Sequence, residues 1–274
     1  MRIHQTKPLF AWDCLEDNPS LRTVRDFLEA VPDADLLASL NRARGRGRND
    51  YPVHVLWGVT LLTIVLRHPS IEACLGELAR NEALRRLIGI DREEGIPKKW
   101  SISRFLDALG RAPHLEILHE VFDAMVKRLG EVVPDLGQDT AGDATYLNAR
   151  RKKDRGAKEE KAEGLPQAAG GRKEYTDADG RVTKVVEWFG YKLHLLADVK
   201  HEVGLAYRVT STKKGDGETL PDLVGDAEVH LPPDRIQTLA YDKAAEVPMP
   251  GPTRRLVTMK LGPIQQALRE WIPA

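Results

Sequence analysis

Two aspartates in this chain have surroundings suited to phosphoryl-transfer chemistry. Asp143 follows Gly142 and precedes Ala144-Thr-Tyr-Leu147, while Asp242 closes the apolar run at 236–241 and leads into Lys243-Ala-Ala245. Carboxylates are hard oxygen ligands, and Mg²⁺ typically takes one or two of them together with waters and substrate phosphate. Ions held in this way activate a water or hydroxyl and stabilise the leaving oxygen. Spacing alone leaves the matter open, because aspartates at strand ends also serve as caps and turn residues. Asp139, in Gln138-Asp-Thr140, is a rival for the first position.

Two acids so far apart in sequence meet only if their strands are neighbours in one sheet. The pattern after Pro134 allows this. Residues 136–149 read as a first strand. From Val185 the alternation has period two, with Tyr191, Leu193, Leu195, Ala197 and Val199 on one face and Lys192, His194, Leu196 and Asp198 on the other. A short turn at 200–202 leads to Val203, Leu205, Tyr207 and Val209, which reads as a hairpin. Leu220, Leu223 and Val224 suggest a helix, Pro232-Pro233 breaks it, and 236–241 form a last short strand before Asp242. Residues 255–261 read as a further strand and 264–271 as a helix. Between the first strand and the hairpin, about 150–183 is polar, of mixed charge and marked by Gly170-Gly171, and so reads as a loop.

Residues up to about 131 read as helical throughout. Apolar residues recur at three- and four-residue spacing around Leu21–Leu28, Leu36–Leu40, Ile71–Leu78, Leu84–Ile88 and Ile102–Leu109. The segment 53–66 is apolar nearly all round and belongs at the centre of its domain. Gly89 reads as a helix stop. Leu115, Leu118, Phe122, Met125 and Leu129 mark a last core-facing seam.

The 274 residues carry 41 Lys+Arg and 41 Asp+Glu, a formal charge of zero that hides an uneven distribution. Arg42, Arg44, Arg46 and Arg48 fall within seven residues that hold no acid. Residues 150–161 hold seven cations, among them Arg150, Arg151, Lys152 and Lys153, against three acids. Such clusters neutralise phosphates without reading base sequence. Lys98, Lys99, Ser101, Ser103 and Arg104 gather at the start of a helix preceded by two short ones, a loosely helix-turn-helix-like setting. Solvated loops and a capped surface helix account for the same residues equally simply. The two cysteines, Cys14 and Cys74, lack zinc or disulfide spacing, His114 and His119 lack the HExxH interval, and Ser211-Thr-Lys-Lys214 lacks the companion motifs of acyl-transfer enzymes. No apolar run reaches the roughly 20 residues that span a bilayer.

Several blocks together resemble bacterial DDE-type insertion-sequence transposases. Asp50-Tyr-Pro-Val-His-Val-Leu-Trp57, Pro69–Leu78, Arg80-Asn81, Gly89-Ile90 and Ser101–Phe105 resemble their helical N-terminal domain. Gly142–Leu147 is similar to their first catalytic block, Phe189–His194 with Leu205–Thr210 to the following hairpin, and Leu239–Ala244 to the second block. The resemblance implies an α+β protein: an all-helical DNA-binding domain at 1–131, then a ribonuclease-H-like mixed-sheet α/β domain at 136–274, incomplete, with a flexible basic loop at about 150–183. It implies Asp143 and Asp242 as catalytic, metal-holding acids, Mg²⁺ or Mn²⁺ as cofactor, and cleavage and strand transfer at element ends. It also implies a homodimer on double-stranded DNA in a cytoplasmic, nucleoid-associated setting. The family needs a third acid, a downstream glutamate. Glu270 stands on a plausible element but without family context and at too short a spacing, so a truncated chain is the expectation, with its catalytic competence open. A non-catalytic DNA-binding remnant and a helical interaction module on an inert core are the alternatives.

Overall fold

The computed structural model describes residues 19–45, 51–149, 166–177, 181–241 and 255–258. They fall into two compact units, Met1–Met125 and Val126–Ala274.

The first unit is helical: α1 (Pro19–Ala30), α2 (Ala34–Arg44), α3 (Val53–Val65), α4 (Ile71–Arg80), α5 (Glu82–Leu87), one 3-10 turn at Glu93–Gly95, α6 (Lys99–Leu109) and the start of α7 (His114–Val132). α3 is the centre, as its all-round apolar sequence implies. Val55, Leu56, Trp57, Val59, Leu61 and Leu62 are all buried, in one core with Leu28, Leu36, Leu78 and Ile102. The short helices around it are held by caps. The Ser70 hydroxyl accepts from Ala73 N at 3.2 Å, the Asn81 amide oxygen accepts from Leu84 N at 3.2 Å, and Gly89 takes a left-handed φ of 80° just beyond α5.

One polar contact lies inside this core. Asp33, fully buried, accepts a hydrogen bond from the Trp57 indole at 2.6 Å. Trp57→Phe removes the donor and keeps most of the ring, so about 1–3 kcal/mol of stability is lost in urea unfolding. A variant as stable as the parent would show that the contact contributes nothing net.

The second unit contains the C-terminal end of α7, then β1 (Asp139–Asn148), β2 (Ala169–Thr176), β3 (Val182–Asp198), β4 (Val203–Ser211), α8 (Asp216–His230), β5 (Thr238–Tyr241) and β6 (Arg255–Thr258). The strands form one mixed sheet in the order β2-β3-β1-β5-β6, with β4 also paired to β3. β3 runs antiparallel to β1, β2 and β4, whereas β5 is parallel to β1 and β6 parallel to β5. The protein is therefore of the α+β class.

Three details differ from the sequence reading. The units divide inside α7 rather than after residue 131, because the end of that helix belongs to the second unit, with Gly130 close against Leu231 and Pro232. The α7 seam also turns: Val121 and Val126 are buried, and Leu129 is 38% exposed. Within the expected loop at 150–183, Ala169–Thr176 is a strand paired to the N-terminal half of β3. Gly171 lies opposite Trp188 there, and a Cβ on it would come within 2.4 Å of the indole, so Gly171 makes room for a ring within a strand.

Alternation alone left open which face of the hairpin is covered. The alternation along β3 is as read, but His194, Leu196 and Asp198 are the buried set, and Tyr191, Leu193, Leu195 and Ala197 are half-buried. α8 decides this. Arg208 of β4 donates from Nε and Nη2 to the two carboxylate oxygens of Asp226 at 2.7 and 2.8 Å, and from Nη1 to Asp222 at 3.1 Å. This fork fixes α8 over the face that carries Arg208 and His194, which lie opposite each other in the ladder.

Candidate active site and nucleic-acid contacts

Asp143 sits midway along β1, half-buried, directly opposite Leu195 of β3. In a pleated sheet, directly paired residues share a face. Asp143 therefore shares the half-buried face with Leu195 and, through the β3–β4 register, with Tyr207. α8 covers the other face.

The parallel neighbour β5 pairs Asp139 with Thr238, Thr140 with Leu239 and Ala141 with Ala240. Its last residue, Tyr241, is buried, and its ring packs onto Gly142, where a Cβ would come within 2.4 Å of it. Gly142 is thus required by space, and the residue before Asp143 touches the residue before Asp242. Asp242 itself lies outside the described residues, as do Glu270, Arg46, Arg48, Arg150, Arg151, Lys152 and Lys153.

Asp139 and Asp143 are four residues apart on one strand, about 13 Å at the usual rise, too far to share an ion. The Asp139 carboxylate accepts from the Thr238 hydroxyl at 2.6 Å, which ties the starts of β1 and β5 together. Among the described residues no group of three or more His, Cys, Asp or Glu is gathered closely enough to hold a metal ion. What they offer at Asp143 is one half-buried carboxylate on the sheet face opposite α8. That suits a hard cation completed by a second acid and solvent.

His194 has a different surrounding. Its Nε2 lies 2.9 Å from the Thr210 hydroxyl, and its Nδ1 is 3.5 Å from Asp216 at the start of α8, which also pairs with Lys192. Burial holds the imidazole pKa down at about 4, with Asp216 pulling it up and Lys192 and Lys214 pushing it down. It is therefore neutral at pH 7 and forms no ion pair. Because the folded pKa is depressed, protonation favours the unfolded chain, so stability is complete above about 6.5 and is lost as pH falls towards 4. Between pH 8 and pH 5 this one group costs about 2 kcal/mol. His194→Gln flattens that part of the urea-midpoint profile. An unchanged slope would assign the pH dependence to other groups.

The basic residues of the first unit divide by partner. Arg44 is half-buried and donates to the Tyr51 carbonyl, tying the end of α2 to the start of α3. Arg42 and Lys98 are exposed. Lys99 pairs with Glu72. The Arg104 guanidinium lies 5.2 Å from the centre of the Trp100 ring, and Trp100 is 55% exposed. Sequence reasoning passed over Trp100. A tryptophan next to the apolar spacing of a helix reads as core, and the buried face of α6 is instead formed by Ser101, Ile102, Phe105 and Leu109. The only hint was its position between Lys98-Lys99 and Arg104.

No helix among the described residues is long and apolar enough to cross a membrane. Residues 12–108 match the family model described as Transposase domain (DUF772), a stretch that lies within the first unit. No curated protein and no solved structure matches the chain.

Proposed function

We propose that this protein is a DDE-type transposase. In this reading the helical unit binds double-stranded DNA at the element ends as part of a homodimer. The sheet unit, of ribonuclease-H-like topology, cleaves and transfers strands at Asp143 and Asp242. The transposase match over residues 12–108 supports the general role.

The observation that carries the finer reading is the β1–β5 register. Asp139 stands opposite Thr238 and Ala141 opposite Ala240. Next to those pairs the Tyr241 ring packs onto Gly142, so the residues that precede the two acids in the sequence are in contact. Strand order supports it as well: a central β1 flanked by antiparallel β3 and parallel β5, with a helix between β4 and β5. Asp143 and Asp242 would hold Mg²⁺ or Mn²⁺, which when bound activates an oxygen nucleophile and offsets charge on the leaving oxygen. The chain's own contribution is placement: the Tyr241 ring on Gly142 keeps the end of β5 beside the middle of β1, and Asp143 lies on the sheet face opposite α8.

A second reading, a DNA-binding transposase remnant without catalysis, is favoured by one fact: the family match lies wholly in the first unit. Incubating the full chain with supercoiled plasmid separates the two. The proposal expects nicking that needs Mg²⁺ or Mn²⁺ and stops with EDTA. Salt-sensitive DNA binding with no nicking in either metal would establish the remnant.

A further inference from the structure

We infer that Trp100 is a base-stacking contact, and that the exposed face of the first two turns of α6 binds DNA that presents an unstacked base. The inference rests on the reading that the helical unit binds DNA, and it adds the form of DNA recognised. Trp100 is a large apolar ring left 55% in water on a helix whose other face supplies the core. Arg104 follows one turn later, its guanidinium 5.2 Å from the ring centre. That cation–π contact fixes the orientation of the indole and covers one face. The exposed remainder of the ring stays free to stack.

Charge points to the kind of partner. Lys98, Ser103 and Arg104 are exposed at the start of α6, which has no acid in its own first turn, and the one acid paired there, Glu72, is matched by Lys99. Asp107, exposed a turn further along, limits the contact to the first two turns. Rings flanked by cations suit single-stranded or opened nucleic acid, where stacking supplies sequence-tolerant affinity and cations follow the phosphates. A base inside an intact duplex is covered on both faces by its neighbours, so an indole reaches one only at an end, a mismatch or an opened step. The partner is therefore DNA with at least one base out of the stack.

The test uses the full chain and two short fluorescein-labelled duplexes, one fully paired and one with a single unpaired base, read by anisotropy across a salt series. The unpaired-base duplex should bind about ten-fold more tightly. Trp100→Ala should abolish that preference and leave the salt slope unchanged, and Trp100→Phe should keep most of it. Arg104→Gln should lower the slope by about one. Salt-dependent binding with a preference that survives Trp100→Ala would overturn the inference and leave the general reading standing. No salt-dependent binding to either duplex would remove both. A shift in oligomeric state of DNA-free Trp100→Ala would assign the ring to a protein interface and overturn the inference.

Discussion

Asp143→Asn leaves a folded, DNA-binding protein that no longer nicks DNA. The exchange keeps the shape of the side chain and removes its charge. Asp143 is half-buried in a strand held on both sides, by β3 over nine paired positions and by β5 over three, so the backbone has little reason to move. Stability should fall by about 1 kcal/mol, the typical size for a single substitution. Catalysis depends on the charge. A neutral amide is a weaker ligand for a hard cation, and loss of several kcal/mol of transition-state stabilisation lowers the rate on the order of 10³-fold. DNA affinity, which the proposal assigns to cations elsewhere in the chain, should stay within about two-fold. Asp139→Asn is the matched control. That carboxylate is engaged with the Thr238 hydroxyl about 13 Å away along the strand, so cleavage should persist. If the two variants behaved alike, or if Asp139→Asn alone lost activity, the choice of Asp143 would be wrong.

Gly190→Ala should be the most damaging single change to the sheet. Gly190 is buried where β3 passes between Asn148 of β1 and Ala169 of β2. A Cβ there would come within 1.9 Å of the Leu147 carbonyl oxygen and 2.7 Å of the Ala149 nitrogen. Both are backbone atoms and cannot swing aside as a side chain could, so the end of β1 must lift from β3 or the strands must part. Overpacking of this kind costs about 3 kcal/mol, at the upper end of its usual range. A fall in urea midpoint with an unchanged denaturant slope would report that loss directly. Gly170→Ala, where a Cβ would meet nothing within 4 Å, should leave the midpoint in place. Equal effects from the two would mean that close approach at Gly190 is not what selects glycine.

The sequence and the structure agree wherever local pattern decides the outcome. Period-two alternation, the turn at 200–202 and the proline break at 232–233 gave the strand order around Asp143, and the all-apolar 53–66 segment marked the centre of the helical unit. Disagreement appears where a partner distant in the chain decides. For Lys192, His194 and Asp198 the alternation gave a shared face but not what covers it. They are covered because Asp216, the Thr210 hydroxyl and the Gly137 nitrogen, respectively, meet them from other elements. β2 read as loop because its glycines and charges offer no hydrophobic period, and its strand character comes from the Trp188 ring and the β3 edge. Exposure of Trp100 had only its flanking Lys98-Lys99 and Arg104 as a signal, set against the high average burial of tryptophan.

Mn²⁺ binding followed by electron paramagnetic resonance tests most directly whether Asp143 and Asp242 form one metal site, because it needs neither element ends nor turnover. Titrating the wild type, Asp143→Asn, Asp242→Asn and the double variant should give one site in the wild type, its loss in either single variant, and no further loss in the double, the non-additivity of a shared site. Wild-type affinity retained in both single variants, or two independent and additive losses, would contradict it.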